Sequence, residues 1–240
     1  MNTLSKMHAG RALVLPIFRK SVCSSFSNVD IIKVAIVGGS IQEPEIDVLK
    51  EIHGNFELKI FNIDIDSIYL DLNFPIPNEL EQYLNYFDLV ICNQVLEHLF
   101  DVKQALENLA FFTKPNCYLW VNCPSSNQKH GSPYYFSAGY QSGLIEELLD
   151  RLNFTTQIKG EIGSQRLYNM THKQQYWPSK KILNNPFLRG SEVKSLLFPL
   201  KVLKHFFKSI EALSWNNRIE TGNKWATETY YFGKKVIIFT

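Results

Sequence analysis

The sequence predicts an α/β fold, doubly wound about a mostly parallel sheet. Strand-length apolar runs alternate with helical stripes from residue 31 to about 160. Those runs are rich in β-branched residues and lack a polar alternate face, as in strands covered on both sides. Glycine or acidic residues recur where the runs stop, the place where open α/β sheets collect ligands. A chain of 240 residues buries one substantial core without needing a second domain.

The elements follow in order. Ile31 to Val37 is the first strand, stopping at Gly38-Gly39-Ser40. Pro44, between Glu43 and Glu45, opens a helix through Ile46, Leu49 and Ile52 that Gly54 and Asn55 close. Phe56 to Ile63 is the second strand and ends at Asp64, with Tyr69-Leu70-Asp71-Leu72 a short third. Beyond Pro75 and Pro77, Glu79 to Tyr86 predicts a short helix and Asp88 to Cys92 the fourth strand. Asn93 to His98 then reads as a loop and short helix over the sheet edge. Asp101 and Gln104 have capping-box spacing ahead of the stripe Val102, Ala105, Leu106 and Leu109. Lys114-Pro115-Asn116 turns into a fifth strand, Cys117 to Val121, which stops at Asn122-Cys123-Pro124. Leu144, Ile145, Leu148, Leu149 and Leu152 form another helical stripe. Strands near Phe154 to Ile158 and at Lys235 to Phe239 bring the total to seven.

Residues 1–30 read as an N-terminal extension that packs as a preliminary helix, with 31–240 as the main domain. Lys6, Arg11, Arg19 and Lys20 without an acid before residue 30 keep a targeting segment as the alternative. Residues 165–234 are too long for an ordinary connection and read as a helical insertion or lid-like decoration before the last strand. Within them, 191–215 carries an apolar helical stripe beside Lys201, Lys204 and Lys208. That stripe suits a cover for the core, a lid, a homodimer contact or shallow peripheral membrane attachment.

A net charge of +2 gives no argument for nucleic acid, although eight Lys or Arg stand against two Glu between His172 and Glu211. With 17 Phe and 11 Tyr, disorder over the whole length is excluded. Cys23, Cys92, Cys117 and Cys123 form no CxxC pair and no zinc-spaced cluster, so no metal is expected. Reduced thiols within strands fit a cytoplasmic setting.

Four polar signals stand at predicted strand ends: Gly38-Gly39-Ser40, Asp64, Asp71 and Asn93 to His98. The glycines permit a tight turn and close approach of a ligand. No GKS or GKT follows them, and they do not form a GxGxxG fingerprint. Asp64, with Asp66 as its rival, suits two ribose hydroxyls. Asp71 suits an adenine amino group, with Leu72 as an apolar wall. His98, His130 and Glu97 are the nearby acid–base candidates.

These segments, in this order, carry a resemblance: Ile36-Val37-Gly38-Gly39-Ser40, Asn62-Ile63-Asp64, Tyr69-Leu70-Asp71-Leu72, Phe87-Asp88-Leu89-Val90, Val95-Leu96-Glu97-His98, and Leu109 through Pro115. The chain resembles the class I S-adenosylmethionine-dependent methyltransferases, and more narrowly the methyltransferase type 11 group, over roughly residues 31–160. The resemblance implies a Rossmann-like seven-stranded sheet and S-adenosyl-L-methionine as cofactor. Gly38, Gly39 and Ser40 would line its methionine end, Asp64 its ribose and Asp71 its adenine, with Asn93 alongside. His98 would face the cofactor side. His130 and Tyr134-Tyr135 would lie toward a small-molecule, sugar or glycan acceptor methylated on oxygen. Two departures stand out: Ile36 replaces an acid two residues before the first glycine, and Ser40 and Gln42 replace later glycines. A catalytically silent binding module of the same fold is the alternative reading.

Overall fold

The computed structural model describes residues 9–26, 31–64, 66–126, 134–163, 168 and 226–237. Helix α1 (Ala9–Ser25) leads into β1 (Ile32–Val37), α2 (Pro44–His53), β2 (Phe56–Asn62) and β3 (Ile68–Tyr69). A 3-10 helix at Asn78–Tyr83 precedes β4 (Phe87–Asn93), and another at Leu96–His98 precedes α3 (Val102–Phe112). The chain continues with β5 (Thr113–Pro124), α4 (Ser142–Asp150), β6 (Phe154–Gly163) and β7 (Ala226–Lys235). The seven strands form one sheet in the order β3-β2-β1-β4-β5-β7-β6. β7 runs antiparallel to both neighbours, whereas β1 to β5 are parallel.

Alternate side chains of the central strands serve two cores, as a period of two demands. Ala35, Val37, Val90, Cys92, Leu119 and Val121 pack with Ala105, Leu106 and Leu109 of α3 and with Leu149 of α4. Val34, Ile36, Leu89, Ile91 and Trp120 pack with α1 and α2 on the other face. Both faces are therefore apolar, which explains the unbroken β-branched runs. The predicted cap of α3 is present: the Gln104 N–H donates to Asp101 Oδ1 at 2.9 Å. Cys92, Cys117, Cys123 and Cys23 are all free thiols.

The preliminary helix is structural. Leu13, Val14, Ile17, Phe18 and Val22 of α1 are buried on the second face. Phe18 meets Trp120 edge-on, with ring centroids 5.1 Å apart.

Three elements differ from expectation. The fifth strand starts four residues early, because Asn116 adopts φ 65° and absorbs the expected turn within the ladder. The helix expected over 79–86 is a 3-10 turn that stops at Tyr83, and Asn85, at φ 52°, donates its N–H to Phe111 O at 2.8 Å. The last strand lies at Ala226–Lys235 rather than Lys235–Phe239. Its buried polar run Thr227-Glu228-Thr229 hides it from an apolar pattern. The segment between the last two strands thus ends at 225 instead of 234. The basic stripe and helix expected over 191–215 lie outside the described residues, as do residues 1–8. Among the described residues, no helix is long and apolar enough to cross a membrane.

Because Phe18 is fully buried, Phe18→Ala should destabilise the fold by about 3–5 kcal/mol in urea unfolding. A loss under about 1 kcal/mol would mean that α1 is not part of the cooperative core.

Candidate functional site

Strand register determines where the polar turns lie. Val37 pairs with Phe61, Ile36 with Ile91, Asn62 with Tyr69, and Asn93 with Asn122. The turns after β1, β2, β3 and β4 therefore leave the sheet along one edge. Antiparallel β7 brings Glu228 opposite Pro124 at the same edge.

Gly38 begins the first turn at φ 76°, and its N–H donates to Phe61 O at 2.7 Å. A Cβ there would stand 2.5 Å from Val95 Cγ2, so only glycine lets the first turn meet the turn after β4. Gly39 O accepts from Asn62 Nδ2 at 3.0 Å, and the same amide reaches Asp64 Oδ2 at 3.2 Å. Ser40 is exposed, and its Oγ accepts from the Gln42 N–H. Asp64 and Asp66 are both exposed. Asp71 Oδ1 accepts twice from Asn73, whose own Oδ1 accepts from the Phe100 N–H at 2.9 Å. The third tip is thereby tied to the loop after β4. Leu72 faces inward, 3% exposed, within the core shared with α3.

Asn93 ends β4 with both ends of its amide engaged. Oδ1 accepts from Trp120 Nε1 at 3.1 Å, and Nδ2 donates to Glu43 Oε2 at 3.4 Å. Beyond it, Glu97 is buried beneath His98, which is about a quarter exposed. His98 Nδ1 bonds to Tyr134 O, and Nε2 stands 3.7 Å from Glu97 Oε1. The Phe136 and Ser137 N–H groups donate to Glu97 O, docking residues 134–137 on this turn. Exposed Phe74, Phe100 and Phe136 meet edge to face, 5.9 Å between successive centroids, as an aromatic rim beside His98. His130 lies outside the described residues.

A family model described as a methyltransferase domain matches residues 75–121. Most of the chain superposes on solved structures at low identity. One is a protein assigned as a sarcosine dimethylglycine methyltransferase of Galdieria sulphuraria, with TM-score 0.56 and 11% identity over 93% of this chain and 84% of that one. This is the class I S-adenosylmethionine-dependent methyltransferase fold. The [4+2]-cyclase SpnF shares it, with TM-score 0.52 and 12% identity over 92% of this chain and 80% of that one. So does phosphoethanolamine N-methyltransferase 2 of Haemonchus contortus, solved with S-adenosylhomocysteine, at TM-score 0.50 and 11% identity. That alignment covers 91% of this chain and 52% of the other. No curated protein sequence matches significantly.

On the methyltransferase fold, Gly38, Gly39, Ser40, Asp64, Asp71, Asn93, Glu97 and His98 all border one edge of the sheet. Sequence reasoning missed a polar layer behind them. Gln94, at φ 56°, donates through Nε2 to Asn122 Oδ1 at 3.0 Å and to Glu228 Oε2 at 2.8 Å. Positive φ at a non-glycine residue marks local strain, which concentrates at functional sites. Arg11 of α1 joins the layer through Glu43 and Glu45. Polar residues inside or just beyond apolar runs (Asn93, Asn122, Glu228) were the available signal. A groove of about 530 Å³ lined by Glu146, Glu147, Asp150, Thr155 and Thr156 lies instead at the start of β6, the opposite end of the strands.

Burial pushes the Glu228 carboxyl up to about 8, with nearby Glu97 adding to the rise and the Gln94 and Asn122 amides opposing it. Burial likewise raises Glu45, against the pull of Arg11. From about pH 4.5, the ordinary value, to about 8, folded Glu228 keeps a proton that the unfolded chain has lost. Its stabilising contribution is thus complete below the ordinary carboxylate range and disappears as pH rises through 8. Urea unfolding of the wild type should lose on the order of a few kcal/mol between about pH 5 and 9, and Glu228→Gln should lose clearly less. Equal losses in the two proteins would contradict this.

Proposed function

We propose that this chain transfers the methyl group of S-adenosylmethionine to a small-molecule, sugar or glycan acceptor, on oxygen. The observation that carries the reading is the shared edge, where a glycine turn, the exposed Asp64 carboxylate and the partly exposed His98 follow one another. The residues fit the donor. The turn at Gly38 and Gly39 presents its backbone at the end of β1, packed against Val95, Ile36 and Glu43, and Asp64 is exposed to meet two ribose hydroxyls. Asp71 spends Oδ1 on Asn73 and keeps Oδ2 for an adenine amino group.

When bound, the donor supplies an electrophilic methyl group on a cationic sulfur. The chain's tasks are then to align the acceptor, exclude water and take a proton. A carbonyl only accepts, so His98 Nδ1–H donates to Tyr134 O and Nε2 is the ring nitrogen on the Glu97 side. His98 Nε2 would take the hydroxyl proton of the acceptor as that oxygen is methylated. Glu97, 3.7 Å away, stabilises the resulting imidazolium. Oxygen is preferred because an imidazole lies at this edge to take the hydroxyl proton. The rim of Phe74, Phe100 and Phe136 suits the flat face of a sugar or ring. The four cysteines are all free thiols, which fits a reducing, cytoplasmic setting.

Calorimetry should detect S-adenosylmethionine binding, and no heat at millimolar donor would end this reading. Asp64→Ala should weaken binding by about 1–3 kcal/mol through lost charged hydrogen bonds. Unchanged affinity would move the ribose contact elsewhere, with Asp66 next.

A further inference from the structure

Beside the glycine turn lies an ion cluster that the donor reading has not used. Arg11, in the first turn of α1, donates through Nη2 to Glu43 Oε2 and, at 2.8 Å, to Glu45 Oε2. The three side chains are 16%, 11% and 5% exposed. Two carboxylates share one guanidinium in a nearly dry place. Clusters of this kind are poor sources of stability, because desolvation costs about as much as the attraction returns. Surplus negative charge here would be relieved by a cation arriving from outside.

The two carboxylates have different tasks. Glu45 is turned inward. Glu43 spends Oε2 on Arg11 Nη2 and Asn93 Nδ2, while Oε1 accepts no hydrogen bond from the described residues. That oxygen stands 3.0 Å from where a Cβ on Gly39 would lie, so it packs directly against the backbone of the glycine turn. Ile36, on the strand beneath, is a core residue 1% exposed and offers no charge. The carboxylate nearest the turn therefore comes from the residue that caps α2, and a helix 32 residues away in sequence holds it.

We propose that Arg11 positions Glu43 so that Oε1 receives the α-ammonium of the methyl donor, which makes α1 part of the donor site. The inference rests on the donor reading above. No bond is made or broken: an ammonium on Glu43 completes the charge balance that Arg11 leaves unfinished. Arg11 acts through Glu43, as a positioning residue. An α1 that merely covered the sheet would need only its apolar stripe.

The test compares S-adenosylhomocysteine with its deaminated analogue, in which hydrogen replaces the α-ammonium, by calorimetry on the full chain. The wild type should prefer S-adenosylhomocysteine by about tenfold or more. Glu43→Gln should bring the ratio close to one, Arg11→Ala should reduce it, and Arg11→Lys should keep part of it. Melting temperatures recorded in parallel separate positioning from scaffolding. If Arg11→Ala and Arg11→Lys lower the melting temperature but leave the ratio at its wild-type value, the proposal is wrong. Equal affinities of the wild type for both compounds would also overturn it, with donor binding intact. Binding of neither compound at millimolar concentration would remove the donor reading, and this inference with it.

Discussion

The tips of β1 and β4 touch through a contact that only glycine permits. Gly38 combines a left-handed backbone with the absence of a Cβ, and Val95 fills the space that a side chain would need. Everything else at this edge is referenced to that contact. The Gly38 N–H reaches back to β2, Asn62 holds Gly39 from the next strand, and Asn93 bridges β4 to Trp120 on β5. Four turns from distant parts of the sequence thus share one rigid frame, and a ligand bound there meets groups that are already oriented.

This frame is unusually polar for its depth. Glu45, Glu97, Asn93, Asn122 and Glu228 are all nearly inaccessible, and Arg11 is mostly buried. Burying such groups costs stability, which the two apolar cores on either side of the sheet offset. Helix α1 contributes to both sides of that balance. Its apolar stripe completes the second core, and its one inward-reaching arginine neutralises part of the acid at the edge. A polar layer so placed, next to a strained Gln94, is consistent with a region selected for binding more than for stability.

Much of this was legible in the chain itself. Strand positions were readable wherever both faces are apolar, as in β1 and β4, because an unbroken aliphatic run admits few other interpretations. The turns at Gly38, Asp64, Asp71 and Asn93 were readable because parallel strands release the residues that follow them at the same edge. β7 was misplaced, since its Thr-Glu-Thr stretch is buried through pairing and an apolar pattern cannot see that. Leu72 packs in the core shared with α3, a placement set by tertiary packing that local composition alone does not specify. The partnership of Arg11 with Glu43 was invisible for the same reason: no spacing rule links residues that meet only after the sheet has formed.

We propose that the turns near residues 38, 64, 71 and 93 together grip one nucleoside. Titrating isotope-labelled protein with S-adenosylhomocysteine and following backbone amide resonances tests it most directly. Shifts concentrated at Gly38, Gly39, Asp64, Asp71 and Asn93, saturating with a single affinity, are the expected result. Shifts scattered elsewhere with those five amides unmoved would contradict the account.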